Sequence, residues 1–291
     1  MTRYIGRHEF PTLLKEIPDP PHGLYIRGNE DLLTSSAHFV CVVGARSHSE
    51  YGAHACRELI LGLRGHTICI VSGLALGIDS IAHKTALEAG LPTIAIPGSG
   101  LNDNALYPAS NRPLAHSIIE AGGTLVSEFP PDHKAYPYNF PQRNRIMAGM
   151  SHVVLVVEAE VKSGTLITAK YATEYNRDVC IVPGSIFSRT SEGPHLFWRL
   201  GATPVRTSKD ILDVLGIQHT HAPENAQERT AHCTDEERAV LQTLSVPMSR
   251  DELMRILVRT LGKSVSEINT LLMMMEIREL IVERLGEIYP T

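Results

Sequence analysis

The stretch of sequence that decides the fold is Phe140-Pro-Gln-Arg-Asn-Arg-Ile-Met-Ala-Gly-Met-Ser-His-Val-Val-Leu-Val-Val-Glu-Ala-Glu-Val-Lys-Ser-Gly-Thr-Leu-Ile-Thr-Ala169. Its middle, Val153 to Val157, is a continuous aliphatic run, which is typical of a strand covered on both faces. Ligands bind at the carboxyl ends of such strands in open α/β sheets. Here that end leads to Lys162, Ser163 and Gly164 at a predicted helix start, where free N–H groups and a cation favour an anion site.

The same alternation of strand and helix continues on both sides of this stretch. Predicted strands cover residues 24–26, 39–43, 68–71, 93–96, 124–126, 153–157, 179–182 and 203–206. Predicted helices cover residues 50–64, 79–89 and 111–121, and a further helix follows Gly164 and runs to residue 176. This alternation implies an α/β fold with a mostly parallel sheet and right-handed crossovers.

Small residues follow almost every predicted strand, among them Gly44, the pair Ser72-Gly73, and Gly164. In a parallel sheet these turns share one edge, so we expect them to surround a common site. No single turn is specific. The first strand is followed by Gly-x-Arg rather than by G-x-G-x-x-G, and the chain contains no G-x-x-x-x-G-K-[ST]. Standard dinucleotide and P-loop sites are therefore disfavoured.

Cations at these turns are the candidate ligands for phosphate. Arg46 and Lys162 stand in glycine turns at strand ends, and we interpret them as phosphate contacts rather than as plain surface charges. Phe140 precedes a proline at a loop-to-helix junction beside arginines. It either packs in the core or stacks on a base, and base stacking contributes ~1–3 kcal/mol per base.

Arg143, Asn144 and Arg145 lie near the start of a predicted helix. Cations there face the unfavourable end of the helix dipole, which argues for an anionic partner, and Asn144 would supply a further donor. The alternative is that one of the two arginines pairs with Glu128 or Glu158 and is structural.

Three carboxylates at strand ends, Asp79, Glu128 and Glu158, could instead hold a metal or act as acid and base. We favour the structural interpretation, in which Asp79 caps its helix and the glutamates orient an arginine. The serines lack the G-x-S-x-G elbow, and no histidine pair has metal-ligand spacing on a regular element. We therefore predict no metal, no cofactor and no catalytic residue.

Composition sets broad limits on the protein. The 291 residues are 43% hydrophobic, with a net charge of −5, so a nucleic-acid site must be a local patch. The five cysteines show no CxxC spacing, which is typical of reduced core residues in a cytoplasmic protein. The amino terminus has no apolar signal core, and no apolar run approaches the ~20 residues that a membrane span needs.

The pattern divides the chain into four parts. Residues 1–38 are a Pro-rich segment that we expect to pack on the core, residues 39–216 form the α/β domain, and residues 217–233 are a polar linker. Residues 234–291 predict three helices and a hairpin around Gly286, which resembles a winged helix. This tail holds seven cations and ten acids, a net charge of −3, so we favour contact with a protein or a regulatory role over duplex DNA.

Jointly, the motifs resemble the DNA-processing protein A family (DprA, also called Smf). The matching runs occur in order from about residue 10 to residue 206, and the most specific are Val43-Gly-Ala-Arg46, Ser72-Gly-Leu-Ala-Leu-Gly-Ile-Asp79, Gly98-Ser-Gly100, Phe140-Pro-Gln-Arg-Asn-Arg145 and Ser163-Gly-Thr-Leu-Ile-Thr-Ala169. The tail resembles the winged-helix appendage of the family, with weaker motifs.

The resemblance implies an extended Rossmann-like domain, a doubly wound and mostly parallel sheet, that binds single-stranded DNA and forms a homodimer. It implies protection of incoming DNA and loading of the RecA recombinase during natural transformation, without enzymatic activity. Two departures affect this expectation. Many relatives carry a helical module ahead of the Rossmann-like part, whereas this chain begins almost at the core, and His195 stands where the family commonly has Asn.

A nucleoside-phosphate hydrolase is the alternative function. Such enzymes resemble this fold and often carry P-G-G-x-G-T before a catalytic glutamate. Here Pro183-Gly184-Ser185-Ile186 breaks that pattern. A protein-interaction module with vestigial anion sites is a third possibility.

Overall fold

The fold is built on a nine-stranded sheet, followed by a smaller three-stranded one. The computed structural model describes residues 2–217, 233–244, 248–278, 280–284 and 286–290. The chain divides into two compact units, Met1–Gln218 and His219–Thr291. The predicted linker, 217–233, lies almost entirely outside the described residues.

The large sheet has the order β1-β2-β6-β5-β4-β3-β7-β8-β9. Its strands are β1 (Arg3–Gly6), β2 (Gly23–Gly28), β3 (His38–Val43), β4 (Ile68–Ser72), β5 (Thr93–Ala95), β6 (Thr124–Ser127), β7 (Val153–Val156), β8 (Asp178–Ile181) and β9 (Thr203–Pro204). From β6 to β9 all neighbours are parallel, while β1 and β2 add an antiparallel hairpin at the β6 edge. The mostly parallel α/β fold expected from the sequence is therefore confirmed.

Helices cover both faces of this sheet. They are α1 (Thr12–Lys15), α2 (Glu50–Leu61), α3 (Ile78–Glu88), α4 (Arg112–Glu120), α5 (Asn139–Met150), α6 (Thr165–Glu174), α7 (Glu192–Arg199) and α8 (Ser208–Val214). The core on one face contains side chains from α1, α5, α6 and α7, and the core on the other contains side chains from α2, α3 and α8. The central strands β3, β4 and β7 are buried on both faces, as their apolar sequences require.

The strand order reverses between β3 and β7, and this reversal positions the site. From β3 the chain continues through β4 and β5 to β6 on one side, then returns through α5 to β7 on the other side of β3. The register pairs Val43 with Val156, so the two strands end side by side. The turns that follow β3 and β7 cannot be covered by a crossover helix at this point, which leaves a crevice.

Local features of the first unit differ from the sequence expectation in three places. The leading segment contains β1 and α1 in addition to the predicted strand, because four-residue elements are too short to show a period. The last strand covers only Thr203–Pro204, and α7 and α8 were not predicted. Asp79 does not cap α3, since Gly77 holds the N-cap position with φ +78°.

The described residues of the second unit form three helices and a three-stranded antiparallel sheet. The helices are Asp235–Thr243, Arg250–Leu261 and Val265–Ile277, and the strands are Met248–Ser249, Ile281–Arg284 and Glu287–Pro290. Capping boxes begin at Thr234 and Ser264. The order of elements is the one expected of a winged helix, and that assignment stays a prediction.

Candidate functional site

A cleft of about 380 Å³ lies at the strand reversal, where the turns after β3 and β7 meet the start of α5. Eight of the eleven predicted site residues line it: Gly44, Arg46, Phe140, Arg143, Asn144, Lys162, Ser163 and Gly164. Gly73 lines an adjoining groove, and neither Ser72 nor Arg145 lines the cleft. The topology thus brings together turns that are far apart in the sequence.

Arg46 and Phe140 form one wall of the cleft. The guanidinium carbon of Arg46 lies 5.2 Å from the centroid of the Phe140 ring, a distance at which cation and ring attract. Within the described ranges, Arg46 makes no side-chain hydrogen bond or ion pair, and its side chain is exposed. Phe140 is half-buried, with its ring against Gly98, where a Cβ would lie 2.7 Å from the ring. The ring is therefore fixed, whereas the cation remains available to an anion.

The turn after β7 also lines the cleft. Thr165 Oγ1 donates to the carbonyl of Gly44 at 3.0 Å, and Asn144 Nδ2 donates to the carbonyl of Gly164 at 3.2 Å. These bonds tie the turn to the end of β3 and to α5, while the Lys162 side chain remains exposed. Asn144 thus positions the turn from a buried site rather than facing solvent.

Arg143 lies at the base of the cleft and is structural. Its guanidinium donates to the carbonyls of Gly73, at 2.6 Å, and Ile96, and the residue is 4% exposed. Burial lowers the pKa of Arg143 to about 10, and the nearby Asp79 opposes that shift, so the group stays charged at neutral pH. A Cβ at Gly73 would lie 2.3 Å from this guanidinium, which explains the glycine. These contacts give Arg143 a supporting role at the base of the cleft, and its direct contact with a ligand stays a prediction.

Arg145, which was also predicted to contact the ligand, instead bonds to groups within the protein. Arg145 Nη2 bonds Glu128 Oε2 at 2.6 Å, and Arg145 Nη1 donates to the carbonyl of Asp19 at 2.5 Å. Burial raises the pKa of Glu128, although the cation of Arg145 opposes that rise. The structural alternative of an arginine paired with Glu128 is the one that the structure shows.

Ser72 and Asp79 have partners within the protein. Ser72 is fully buried, and its hydroxyl donates to the carbonyl of Val42 at 2.7 Å, so it cannot reach a ligand as predicted. Asp79 lies one residue inside α3 and accepts from the N–H of Ala75 at 3.3 Å. Burial raises the pKa of Asp79, while Arg143 lowers it. Asp79 thus borders the cleft as the counter-charge of Arg143.

The carboxylate of Glu158 holds a loop in place. It accepts from the Ser49 N–H at 2.9 Å, from the Ser49 hydroxyl at 2.6 Å and from the Thr190 hydroxyl at 2.9 Å. The favoured prediction, that Glu158 orients an arginine, is wrong. The part of the chain that the structure describes contains no cluster of three or more His, Cys, Asp or Glu side chains that could hold a metal ion.

Thr168 is a cleft residue that the sequence prediction missed. It is buried, lines the cleft, and its hydroxyl has no hydrogen-bond partner among the described residues. The available signal was its spacing, because residues three apart share a helix face and Thr165 stands three residues earlier. The hydroxyl gives the cleft an uncommitted polar group besides its cations.

Comparison with known proteins places the chain among DNA-processing proteins. Residues 2–216 match the family described as DNA recombination-mediator protein A. The chain is 43% identical to protein Smf of Escherichia coli over 220 residues, which is 75% of this chain and 58% of that protein. It is 42% identical to DNA processing protein DprA of Streptococcus pneumoniae over 203 residues, 70% of each chain. The chain therefore spans little more than half the length of the Escherichia coli relative.

Solved structures show the same fold for the first unit. DNA processing protein A of Streptococcus pneumoniae superposes with a TM-score of 0.68 at 39% identity, covering 72% of this chain and 73% of that one. The Helicobacter pylori protein, whose structure concerns its single-stranded DNA binding mode, gives a TM-score of 0.66 at 27% identity, covering 74% and 95%. Within the described ranges, no helix is long and apolar enough to cross a membrane.

Proposed function

The chain belongs to the DNA recombination-mediator protein A family, and from that premise we propose that it binds single-stranded DNA in the cleft at the strand reversal. The single observation that carries this proposal is the pair of exposed cations, Arg46 and Lys162, that line the same cleft. A phosphate between them would gain two charge-assisted hydrogen bonds.

Phe140 makes a nucleic acid a better ligand than a free anion. Its ring lies in the same wall as Arg46, so a base can stack where the adjoining phosphate meets the cation. Stacking on an aromatic face accepts any base, and phosphate contacts carry no sequence information. The expected binding therefore tolerates any sequence.

The cleft favours a single strand over a duplex. A volume of about 380 Å³ between close turns accommodates one flexible backbone with splayed bases. In a rigid duplex the bases are paired and stacked inward, so they cannot reach Phe140 without prior opening, which costs a few kcal/mol per base. The related Helicobacter pylori protein, whose structure concerns its single-stranded DNA binding mode, supports the same preference.

The wider role follows from the family. We propose that the protein protects incoming single strands and loads the RecA recombinase on them during natural transformation, as a cytoplasmic homodimer. The proposal assigns it no enzymatic step. Of the three candidate carboxylates, Glu128 and Glu158 serve structural hydrogen bonds and do not line the cleft, and Asp79, which lines it, is the counter-charge of Arg143.

A direct binding panel tests the proposal. Purified full-length chain is titrated against a labelled mixed-sequence single strand, the matched blunt duplex and a free nucleoside monophosphate, each at two salt concentrations. We expect single strand to bind at least tenfold tighter than duplex. Equal affinity for duplex, or no binding of single strand, overturns the proposal.

A further inference from the structure

A second recess adjoins the cleft and shares its wall. It is lined by Leu76, Tyr107 and Pro108 on its outer side and by Arg46 and Phe140, which also line the cleft. The ring centroids of Tyr107 and Phe140 lie 5.8 Å apart, with planes tilted by 52°. The Arg46–Phe140 pair therefore separates a polar cleft from an apolar, aromatic groove.

The loop that carries Leu76 is held rigidly. Leu74 has φ +57°, a left-handed conformation that costs about 1 kcal/mol or more for a residue with a side chain. Asn111 Nδ2 donates to the carbonyls of Leu74 at 2.8 Å and Ala75 at 3.1 Å, and Ser80 Oγ donates to the Ala75 carbonyl at 2.6 Å. These bonds keep the strained backbone in place, so the groove is preorganised.

The apolar groups of the groove are open to solvent. Leu76 and Tyr107 are each 47% exposed, although their neighbours Leu74 and Leu106 are buried to 1% and 2%. The core therefore contains Leu74 and Leu106 and leaves Leu76 and Tyr107 outside. An exposed aromatic ring next to an exposed leucine, on a rigid loop, offers a stacking surface rather than a structural contact.

We propose that the exposed rim of this recess, which we call the Tyr107 groove, stacks the nucleobase next to the one at the cleft, because the recess itself, at about 30 Å³, is too small to enclose a base. The inference rests on the proposed function and extends it: one phosphate contacts Arg46, and the bases on its two sides lie in the cleft and against Tyr107. The ring of Phe140 lines both recesses, so a strand that passes over it meets aromatic surface continuously. The groove selects a planar base of any identity, because Leu76 and Pro108 offer no hydrogen bond to a base edge.

The test measures coupling between Tyr107 and the bases. Oligothymidylate and an abasic strand of the same length are titrated against the unaltered chain, Tyr107→Ala, Tyr107→Phe and the control Tyr4→Ala. Tyr4 is 54% exposed, packs against Tyr25 with ring centroids 5.0 Å apart, and lines neither recess. Phosphate contacts are common to both strands, so the ratio of the two affinities isolates the contribution of the bases.

For Tyr107→Ala we expect oligothymidylate affinity to fall about fivefold or more while abasic-strand affinity changes less than twofold. Tyr107→Phe and Tyr4→Ala should match the unaltered chain on both strands. An equal loss on both strands, or no loss on either, overturns the second base site but leaves binding at Arg46 and Lys162 intact. Failure of the unaltered chain to bind any single strand instead overturns the proposed function itself.

Discussion

The guanidinium carbon of Arg46 lies 5.2 Å from the centroid of the Phe140 ring, on the wall between the cleft and the Tyr107 groove. A cation over an aromatic ring at an exposed site gains about 0.5–1 kcal/mol. A charge-assisted hydrogen bond to phosphate contributes about 1.5–3 kcal/mol. We therefore expect a bound phosphate to compete favourably for Arg46 and thereby to uncover the Phe140 ring for a base.

The first prediction concerns the two cations of the cleft. Arg46→Ala and Lys162→Ala should each weaken binding of single strand by about 1.5–3 kcal/mol, because each removes one charge-assisted contact. Fluorescence anisotropy with a labelled strand measures the change, and circular dichroism checks the fold. Lys170→Ala is the matched control, since Lys170 is an exposed lysine on the adjoining helix that pairs with Glu174 at 3.7 Å. Unchanged affinity for single strand in a folded variant that carries both substitutions would show that the DNA-binding site lies elsewhere.

The second prediction separates Arg143 from the surface cations. Arg143→Ala should lower the free energy of unfolding by about 1–3 kcal/mol for each carbonyl, because it removes the donor to two buried carbonyls, those of Gly73 and Ile96. Urea unfolding measures this change. Arg199→Ala, at an exposed position of α7, should change stability by under ~0.5 kcal/mol. If the Arg143→Ala variant is as stable as the unaltered chain and loses only DNA binding, Arg143 contacts DNA directly, as the sequence predicts.

Much of this site follows from the sequence, and the remainder has an identifiable reason. The β-branched run at β7 and the small residues after the strands indicated both the sheet and the edge where the cleft lies. The partners of Arg143 could not be inferred, because the carbonyls it contacts belong to residues 70 and 47 positions earlier in the chain. Helix-dipole reasoning describes only the local environment of Arg143 and Arg145, and tertiary burial overrides it in both cases.

The third prediction tests the hydrolase alternative. Glu158→Gln should lower the free energy of unfolding by about 1–3 kcal/mol, since the carboxylate accepts three hydrogen bonds that hold Ser49 and Thr190. The unaltered chain should release no free base from nucleoside monophosphates above blank by chromatography. Turnover that disappears in a stable Glu158→Gln variant would show that this carboxylate is catalytic.

The fourth prediction is a pH dependence of stability that arises from His83. The residue is buried, its Nδ1 lies 2.8 Å from Thr93 Oγ1, and burial lowers the pKa of His83 to about 3. The unfolded chain takes up a proton below pH ~6.5. The folded chain stays neutral at this position until pH falls near 3. Stability should therefore fall as pH drops through this window, by up to about 1.4 kcal/mol per pH unit from this group.

Substitution His83→Asn isolates that contribution, because the amide can still donate to Thr93 but does not titrate. Chemical unfolding at pH 7.5 and at pH 5.0 should show a smaller loss on acidification in the variant than in the unaltered chain. Equal losses in the two proteins would assign the acid sensitivity to other groups.

The last prediction concerns the tail, where the order of elements suggests DNA binding and the charge argues against it. Four of its seven cations are engaged by carboxylates within the tail: Arg238, Arg250, Lys263 and Arg278. In a winged helix the third helix enters the groove of DNA. Here the exposed side chains of Val265–Ile277 include Met273, Met274 and Ile277, and that helix contains no Lys or Arg. With a net charge of −3, the tail would repel phosphates within about 10 Å at ordinary salt.

Deletion of residues 217–291 should therefore change affinity for single strand less than threefold, under ~1 kcal/mol. Titration of labelled strand against full-length and truncated chain at two salt concentrations measures this change. Thermal unfolding of the truncated chain serves as the control that residues 1–216 fold alone. Because all of the proposed DNA contacts lie in residues 1–216, the salt dependence of the affinity for single strand should also be the same for both proteins. A loss above tenfold on truncation, together with a shallower salt dependence, would show that cations of the tail contact DNA despite their ion pairs.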